Sequence, residues 1–288
     1  PECRKELKKA IERCQLLGKT QDGMHIHLYQ YTGSSPVFRE LGRLREIAFR
    51  AVGEGSGKRR DIDKYDMDYQ HLVLWDPTQL ELVGAYRLAC AKEIIEKHGR
   101  EGLYTDSLFS YTQAMKPYLE QGIELGRSFV QPKYWGRKSL DYLWYGIGAF
   151  IKNYPQYRYL FGAVSVSNAL PEQAKAMLVH YYQHYYKSEQ HLATPNNEFK
   201  LSEQQLTQCK TVFSGNDVKE DFVELKHVLA NMGAQVPTLF KQYTELCKPG
   251  GVKFLSFSID PDFNNCIDGL VLVDLQNVKE NKAKRYLG

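Results

Sequence analysis

Charged side chains interrupt two otherwise apolar stretches of this sequence. Glu124 and Arg127 lie among the apolar residues of 123–130, and Arg87 lies within 82–90. A carboxylate in an apolar strand costs free energy unless a cation pairs with it or a reaction uses it. Strand alternation puts Glu124 and Arg127 on opposite faces, which leaves Arg87 as an alternative partner. Two interpretations of Glu124 therefore stay open, a buried ion pair and a catalytic carboxylate.

A short polar segment carries four closely spaced carboxylates. They are Asp61, Asp63, Asp66 and Asp68. A calcium-hand loop needs a Gly at its sixth position and a distal Glu, and neither is in place, so no metal site is predicted. A positively charged amine substrate would satisfy the same acids, and so would the arginines of the preceding helix, which include Arg45.

A basic turn follows the apolar stretch over 123–130. Pro132 and Gly136 end the predicted strand. Lys133, Arg137 and Lys138 supply positive charge. Apolar residues then recur at helical spacing, so the turn leads into a helix N-terminus, where unpaired N–H groups and the helix dipole attract anions. A basic loop before a helix is usually an ordinary solvated turn, although the spacing is also compatible with phosphate binding.

Two further motifs lack parts that their chemistry requires. The glycine-rich run over 53–59 lacks the first Gly of a nucleotide-binding P-loop and the Ser or Thr after Lys58. His180 and His184 have the spacing of zinc ligands on a helix, but no Glu follows the first His and no third ligand is evident. We assign no function to either motif.

The apolar patterns predict a mixed α/β fold in which helices cover both faces of a mixed sheet. A capped helix is expected over about 35–51, and a hairpin joins 69–76 to 81–91. The order of elements implies a parallel crossover from the strand at 123 to the strand at 158. Other strands are predicted at 24–31, 157–167, 252–259 and 267–274, and other helices at 2–17, 140–153, 168–187 and 236–246.

The composition is that of a globular protein, with 43% hydrophobic and 25% charged residues in 288. No apolar run approaches the ~20 residues of a membrane span. The six cysteines form no CxxC pair, so reduced, cytosolic thiols are expected. The net charge of +4 fits an acidic partner or an anionic surface and gives no reason to expect a nucleic-acid partner. The chain begins at Pro1 without a Met, so we expect a fragment of a longer protein.

Several segments, in this order, carry a family resemblance. They are Arg45-Glu-Ile-Ala-Phe-Arg50, Asp63-Lys-Tyr-Asp66 with His71 after it, Gly84-Ala-Tyr-Arg87, Glu124-Leu-Gly-Arg127-Ser-Phe-Val130, Asp268-Gly-Leu-Val-Leu-Val-Asp274 and Arg285-Tyr-Leu-Gly. From about residue 25 to the end, the chain resembles the GNAT-fold N-acyltransferases of the hemolysin-like branch, which includes ornithine- and glycine-lipid synthases. It is also similar to acyl-homoserine-lactone synthases and long-chain N-acyl amino acid synthases.

The resemblance also suggests a domain organisation. Residues 1–22 resemble the tail of a lysophospholipid-acyltransferase domain, so we expect a helical stub there. An N-acyltransferase domain is expected over 23–288, with a helical insertion at about 188–246.

For the donor, the resemblance implies a GNAT-like splayed sheet that binds an acyl thioester. The strand residues that would hydrogen-bond the pantetheine arm are Phe129, Val130 and Gln131. The turn residues that would hold its phosphate are Trp135, Gly136, Arg137, Lys138 and Ser139. Because this turn is longer than is usual in the family, we expect it to hold the single phosphate of an acyl carrier protein, with acyl-CoA as the alternative donor.

For the acceptor, the resemblance implies that an amine attacks the thioester. Glu124 is the expected base, with Arg127 and Asp66 as further catalytic residues. The residues expected to bind the amino acid are Arg45, Asp63 and Arg87. Neither a metal nor a tightly bound cofactor is implied.

The function expected from these features is transfer of a long-chain fatty acyl group to the α-amine of an ornithine- or glycine-like amino acid. The alternatives are a signal synthase of the homoserine-lactone type and a non-catalytic module that binds acyl carrier protein. The expected partners are acyl carrier protein, the amino acid and a fused lysophospholipid acyltransferase domain. The expected location is the cytoplasm, with peripheral contact at the inner face of the membrane.

Overall fold

The computed structural model describes residues 1–288. Its strands are β1 (Gln15–Lys19), β2 (His25–Gln30), β3 (Gln70–Asp76), β4 (Glu81–Cys90), β5 (Phe109–Tyr111), β6 (Gly122–Val130), β7 (Tyr159–Val166), β8 (Ala193–Pro195), β9 (Val252–Asp260) and β10 (Cys266–Asp274). Its α-helices are α1 (Arg4–Ile11), α2 (Pro36–Arg50), α3 (Ala91–His98), α4 (Lys116–Glu120), α5 (Ser139–Asn153), α6 (Glu172–Tyr185), α7 (Glu203–Val212), α8 (Val218–Asn231), α9 (Thr238–Leu246) and α10 (Glu280–Tyr286). The elements confirm the mixed α/β class.

The chain divides into two compact units. The first comprises Pro1–Leu103, Leu119–Arg158 and Lys279–Gly288, and the second comprises Tyr104–Tyr118 and Tyr159–Val278. The second unit holds antiparallel strands in the order β7-β10-β9, the short pair β5-β8 and helices α6 to α9. Its core is rich in aromatic rings, such as Phe240 and Phe254, which stack at a centroid distance of 5.1 Å.

The first unit holds antiparallel strands in the order β1-β2-β3-β4-β6. Neighbouring residues of β4 face opposite sides of this sheet. Tyr86 packs edge-on against Trp144 of α5, with ring centroids 6.4 Å apart. Arg87 shares the carboxylate of Asp66 with Arg45 of α2, so α2 lies on the other side. This arrangement places helices on both faces of these five strands.

The start of the chain differs from the prediction. The helix predicted over 2–17 ends at Ile11, where Leu7 and Ile11 complete a buried face. Residues Gln15 to Lys19 instead form β1, which pairs antiparallel with β2. The helical prediction is therefore wrong beyond residue 11, because pairing with a neighbouring strand outweighs a weak local preference.

Candidate active site

The charged residues predicted from the sequence meet in one cluster within the first unit. Asp66 is fully buried and lies at its centre. Arg45 donates to both oxygens of Asp66, at 3.0 and 2.6 Å, and Nη1 of Arg87 donates to Oδ1 at 2.9 Å. Burial opposes ionisation, but the charges of Arg45 and Arg87 outweigh it and hold the pKa of Asp66 well below its usual range.

Asp63 is the acid of the cluster that retains some exposure. Its side chain is 22% exposed, compared with 3% for Asp61 and 0% for Asp66. Arg87 Nη1 donates to Asp63 at 2.6 Å. The Asp63 and Asp66 carboxylates also cap each other's backbone N–H groups at the short 3-10 helix that starts at residue 64. These contacts tie both acids to the backbone of the segment and to arginines.

Arg127 belongs to the same cluster, although alternation predicted the opposite face from Glu124. Between β4 and β6, Ala85 pairs with Phe129 but Arg87 pairs with Gly126, so β6 contains one extra residue. Arg127 has a φ of 47°, in the left-handed region. Such a bulge breaks strict alternation. The guanidinium of Arg127 therefore faces the acidic segment, and the prediction of opposite faces is wrong.

The ion pairs of Arg127 with Asp61 and Asp63 are longer than the ion pairs of Arg45 and Arg87. Its Nε lies 3.7 Å from Asp61 Oδ2, and its Nη2 lies 3.6 Å from Asp63 Oδ2. Its side chain is 10% exposed, whereas those of Arg45 and Arg87 are 1% exposed. Arg127 is thus the arginine of the cluster with most access to solvent.

Glu124 is buried and bonded to a residue that the sequence analysis did not single out. Its carboxylate accepts a hydrogen bond from the hydroxyl of Tyr69, which is also buried. The guanidinium carbon of Arg87 lies 5.2 Å from the centre of the Tyr69 ring, within the range of a cation–π contact. Tyr69 therefore links Glu124 to the arginine-rich cluster.

His71 is the second residue of the cluster that was not predicted as part of the site. It is 1% exposed, and Nε2 lies 3.1 Å from the backbone oxygen of Asp66, to which it must donate. Burial lowers its pKa from 6.5 to about 4, so the imidazole is neutral at neutral pH. Alternation could have found both residues, because Tyr69 and His71 share a face and His71 pairs with Arg87 across β3 and β4.

The residues predicted to bind pantetheine have partners within the protein. The backbone N–H of Gln131 donates to the oxygen of Val83 at 2.8 Å, and its side-chain amide donates to the oxygen of Leu82. The indole of Trp135 donates to the oxygen of Val130 at 2.8 Å. Phe129 is buried. A pantetheine arm that bonded these groups of Val130 or Gln131 would have to replace such contacts.

The basic turn has a neutralised start and a positively charged end. Lys133 pairs with Glu81, so its charge is already balanced. Arg137 lies 5.3 Å above the ring of Tyr134. Gly136 adopts a φ of 73°, which allows the chain to turn into α5 at Lys138 and Ser139.

Ser139 gives the end of this turn a polar group that faces inward. It is 2% exposed, and its Oγ has no hydrogen-bond partner. The end of this turn thus consists of two exposed cations, Arg137 and Lys138, and one buried hydroxyl without a hydrogen-bond partner.

Comparisons with known proteins identify the family of this chain. A family model described as an acetyltransferase (GNAT) domain matches residues 44–145, which contain the whole cluster and the basic turn. The glycine N(alpha)-acyltransferase of Phocaeicola vulgatus is 30% identical to this chain, over 96% of the chain and 87% of that protein. The corresponding enzyme of Bacteroides thetaiotaomicron is also 30% identical, over 98% and 87%. The chain belongs to this family of GNAT N-acyltransferases.

Other matches to this N-acyltransferase are less similar in sequence. The L-ornithine N(alpha)-acyltransferase of Rhizobium meliloti is 28% identical over 45% of this chain and 45% of its own. A solved CoA-dependent acyl-homoserine lactone synthase aligns with 66% of this chain and 89% of its own, at 16% identity and a TM-score of 0.35. In this N-acyltransferase, no helix is both long and apolar enough to cross a bilayer.

Proposed function

We propose that this N-acyltransferase moves a long-chain fatty acyl group from a thioester to the α-amine of a small amino acid such as glycine. The observation that carries the proposal is the buried pair of Glu124 and Tyr69 beside the arginine-rich cluster. A carboxylate held in this way is suited to take the proton that an amine must lose when it forms an amide. The two relatives that are 30% identical to this chain over 96% and 98% of its length are glycine N(alpha)-acyltransferases, which supports the same acceptor.

The acceptor would meet the residues of the cluster that keep some exposure. Arg127 is the candidate to bind the carboxylate of the amino acid, because its ion pairs of 3.6 and 3.7 Å are long enough to be exchanged. Asp63 is the candidate to receive the ammonium group. Asp66, Arg45 and Arg87 are buried and bonded to one another, so we assign them to positioning rather than to direct contact with substrate.

The same contacts favour glycine over ornithine as the acceptor. Ornithine carries a second ammonium group, which would need its own carboxylate. Asp61 and Asp66 are already paired with Arg45 and are 3% and 0% exposed. Asp63 alone would then have to serve both ammonium groups of ornithine, whereas glycine needs one acid.

For the donor, we propose the phosphopantetheine thioester of an acyl carrier protein. Arg137 and Lys138 are exposed cations that would bind one phosphate group, whereas Lys133 is neutralised by Glu81. The diphosphate of CoA carries more negative charge than a single phosphate, and Arg137 and Lys138 would balance it less completely. The carrier protein is acidic in general character, so the exposed cations also suit its surface.

The proposed reaction is a direct transfer. The neutral amine attacks the thioester carbonyl, the C–N bond forms, and the C–S bond breaks. That neutral amine forms when the bound ammonium gives one proton to solvent. Glu124 takes a second proton from the nitrogen as the amide forms, and this proton passes to the departing thiolate, which leaves as a thiol. Tyr69 keeps the carboxylate of Glu124 in place through its hydroxyl hydrogen bond.

The test is thiol release from an acyl carrier protein, measured with and without glycine. We expect release to depend on glycine and Glu124→Gln to lower kcat by about a hundredfold or more, the usual size of general-base catalysis. Glu96→Gln is the matched control, because the Glu96 side chain is 66% exposed on α3. Near-normal turnover in Glu124→Gln would remove this residue from the mechanism. Absence of amine-dependent release from any acyl thioester would refute the proposed function itself.

A further inference from the structure

Apolar and basic side chains are exposed together where α2 ends. Ile47 and Val52 are 42% and 45% exposed. Lys58 and Arg59, in the loop that follows, are also exposed. We call these four residues the basic loop surface. They lie in the first unit and take no part in the site described above.

The loop that carries the two cations is held against α2 by one carboxylate. Glu46, which is 2% exposed, accepts hydrogen bonds from the backbone N–H groups of Ser56 and Gly57 at 3.1 and 2.9 Å. It also accepts a hydrogen bond from the hydroxyl of Ser56 at 2.8 Å. Arg50 donates to Glu46 at 2.6 Å and to the oxygen of Lys58 at 2.7 Å. Residues 56–58 are therefore fixed beside the last turn of α2, next to Val52.

The segment over 50–60 has an excess of positive charge. It contains one carboxylate, Glu54, and four cations, Arg50, Lys58, Arg59 and Arg60, so its net charge is +3. Arg50 is paired with Glu46, and Arg60 reaches Glu2 at 3.5 Å. Lys58 and Arg59 supply charge that no carboxylate within 4.0 Å neutralises.

We propose that the basic loop surface binds the anionic face of a lipid bilayer. Cations near a bilayer are attracted by anionic headgroups, and exposed aliphatic side chains enter the boundary between headgroups and acyl chains. Each basic residue strengthens such binding by about fivefold, so the contact is weak and reversible. The inference rests on the proposed function for its purpose, since an N-acyl amino acid is amphiphilic, but the surface and its test do not depend on it.

A bilayer fits this surface better than an acidic protein does. Ile47 and Val52 are exposed at the end of α2, to which the loop with the cations is bonded, and such aliphatic side chains suit a lipid boundary. The cations that suit an acyl carrier protein lie on another element, at Arg137 and Lys138 before α5. Binding of the basic loop surface to an acidic protein in place of a bilayer would therefore contradict the proposal.

The experiment is co-sedimentation of the full chain with vesicles of phosphatidylglycerol and phosphatidylcholine, compared with vesicles of phosphatidylcholine alone. We expect binding to the anionic vesicles that weakens as salt rises. The double variant Lys58→Glu/Arg59→Glu should weaken it by at least about twentyfold. Ile47→Ser/Val52→Ser should weaken it severalfold with the charge unchanged. Lys187→Glu/Lys248→Glu is the control, because it changes the net charge equally at exposed lysines elsewhere.

Three results would overturn the proposal. They are absence of binding by the unaltered chain, equal loss in the control variant, and loss of binding to an acidic protein without loss on vesicles. Thiol release from a water-soluble thioester is measured on every variant and should stay unchanged. This second readout distinguishes a failure of lipid binding from a failure of the proposed function or of folding.

Discussion

The hydroxyl of Tyr69 donates a hydrogen bond to the Glu124 carboxylate and so helps to orient it. Tyr69→Phe keeps the ring against Arg87 and removes the hydroxyl. We expect kcat to fall about tenfold, because Glu124 loses a hydrogen bond that favours its ionised form. The acid limb of the pH–rate profile should move to higher pH, which a merely structural role would not produce. An unchanged profile together with unchanged kcat would show that Tyr69 does not position Glu124.

His71 is a single residue that makes the stability of the folded chain depend on pH. Burial lowers its pKa from 6.5 to about 4, so the unfolded chain takes up a proton at a pH where the folded chain does not. The contribution of His71 to the free energy of unfolding is therefore full above pH 6.5. It falls as pH drops toward about 4, by about 3 kcal/mol at most. The pKa values of Asp63 and Asp66 are lowered, so protonation of these two carboxylates destabilises the folded chain only at lower pH.

The variant His71→Gln should remove most of this dependence, since Gln retains a donor and does not titrate. The measurement is the urea midpoint at neutral pH and at about pH 5. We expect the midpoint of the unaltered chain to fall between the two conditions by more than that of the variant. Equal falls would show that other groups cause the pH dependence.

At the scale of elements, the sequence predicts those parts of the fold that local patterns encode. The capped helix α2 and the hairpin of β3 and β4 are confirmed, because a Ser-Pro start and two alternating apolar runs are local signals. The bulge at Arg127 was not predicted, because it depends on the pairing of β6 with β4. That one residue decides the geometry of the candidate site, since it brings Arg127 to Asp61 and Asp63.

The docking of α10 on α5 depends on one position without a side chain. A Cβ added at Gly148 would lie 1.7 Å from the backbone oxygen of Tyr286. Backbone cannot yield as a flexible side chain does, so Gly148→Ala should displace α10. We expect a loss of about 1–3 kcal/mol in the free energy of unfolding and faster proteolysis within α10. Gly18→Ala is the control, because a Cβ there would meet nothing within 4 Å. Equal stability of both variants would contradict the contact.

At the scale of the whole molecule, the net charge of +4 assists an acidic donor but does not by itself locate it. The proposed location is the end of the basic turn. Arg137→Glu/Lys138→Glu should raise the KM for an acyl carrier protein by about tenfold or more and leave kcat nearly unchanged, because the charges act on encounter and binding. The same variant should flatten the increase of KM with salt, since fewer exposed charges remain to be screened.

A matched pair of donors separates the turn from the overall charge. A pantetheine thioester without phosphate should react equally well with the unaltered chain and with Arg137→Glu/Lys138→Glu. Lys187→Glu/Lys248→Glu alters the net charge to the same extent at exposed lysines outside the turn, and should change the KM for the carrier protein only slightly. If both double variants raised that KM alike, the donor would respond to net charge alone. A tenfold difference between them would assign the donor phosphate to the exposed cations Arg137 and Lys138.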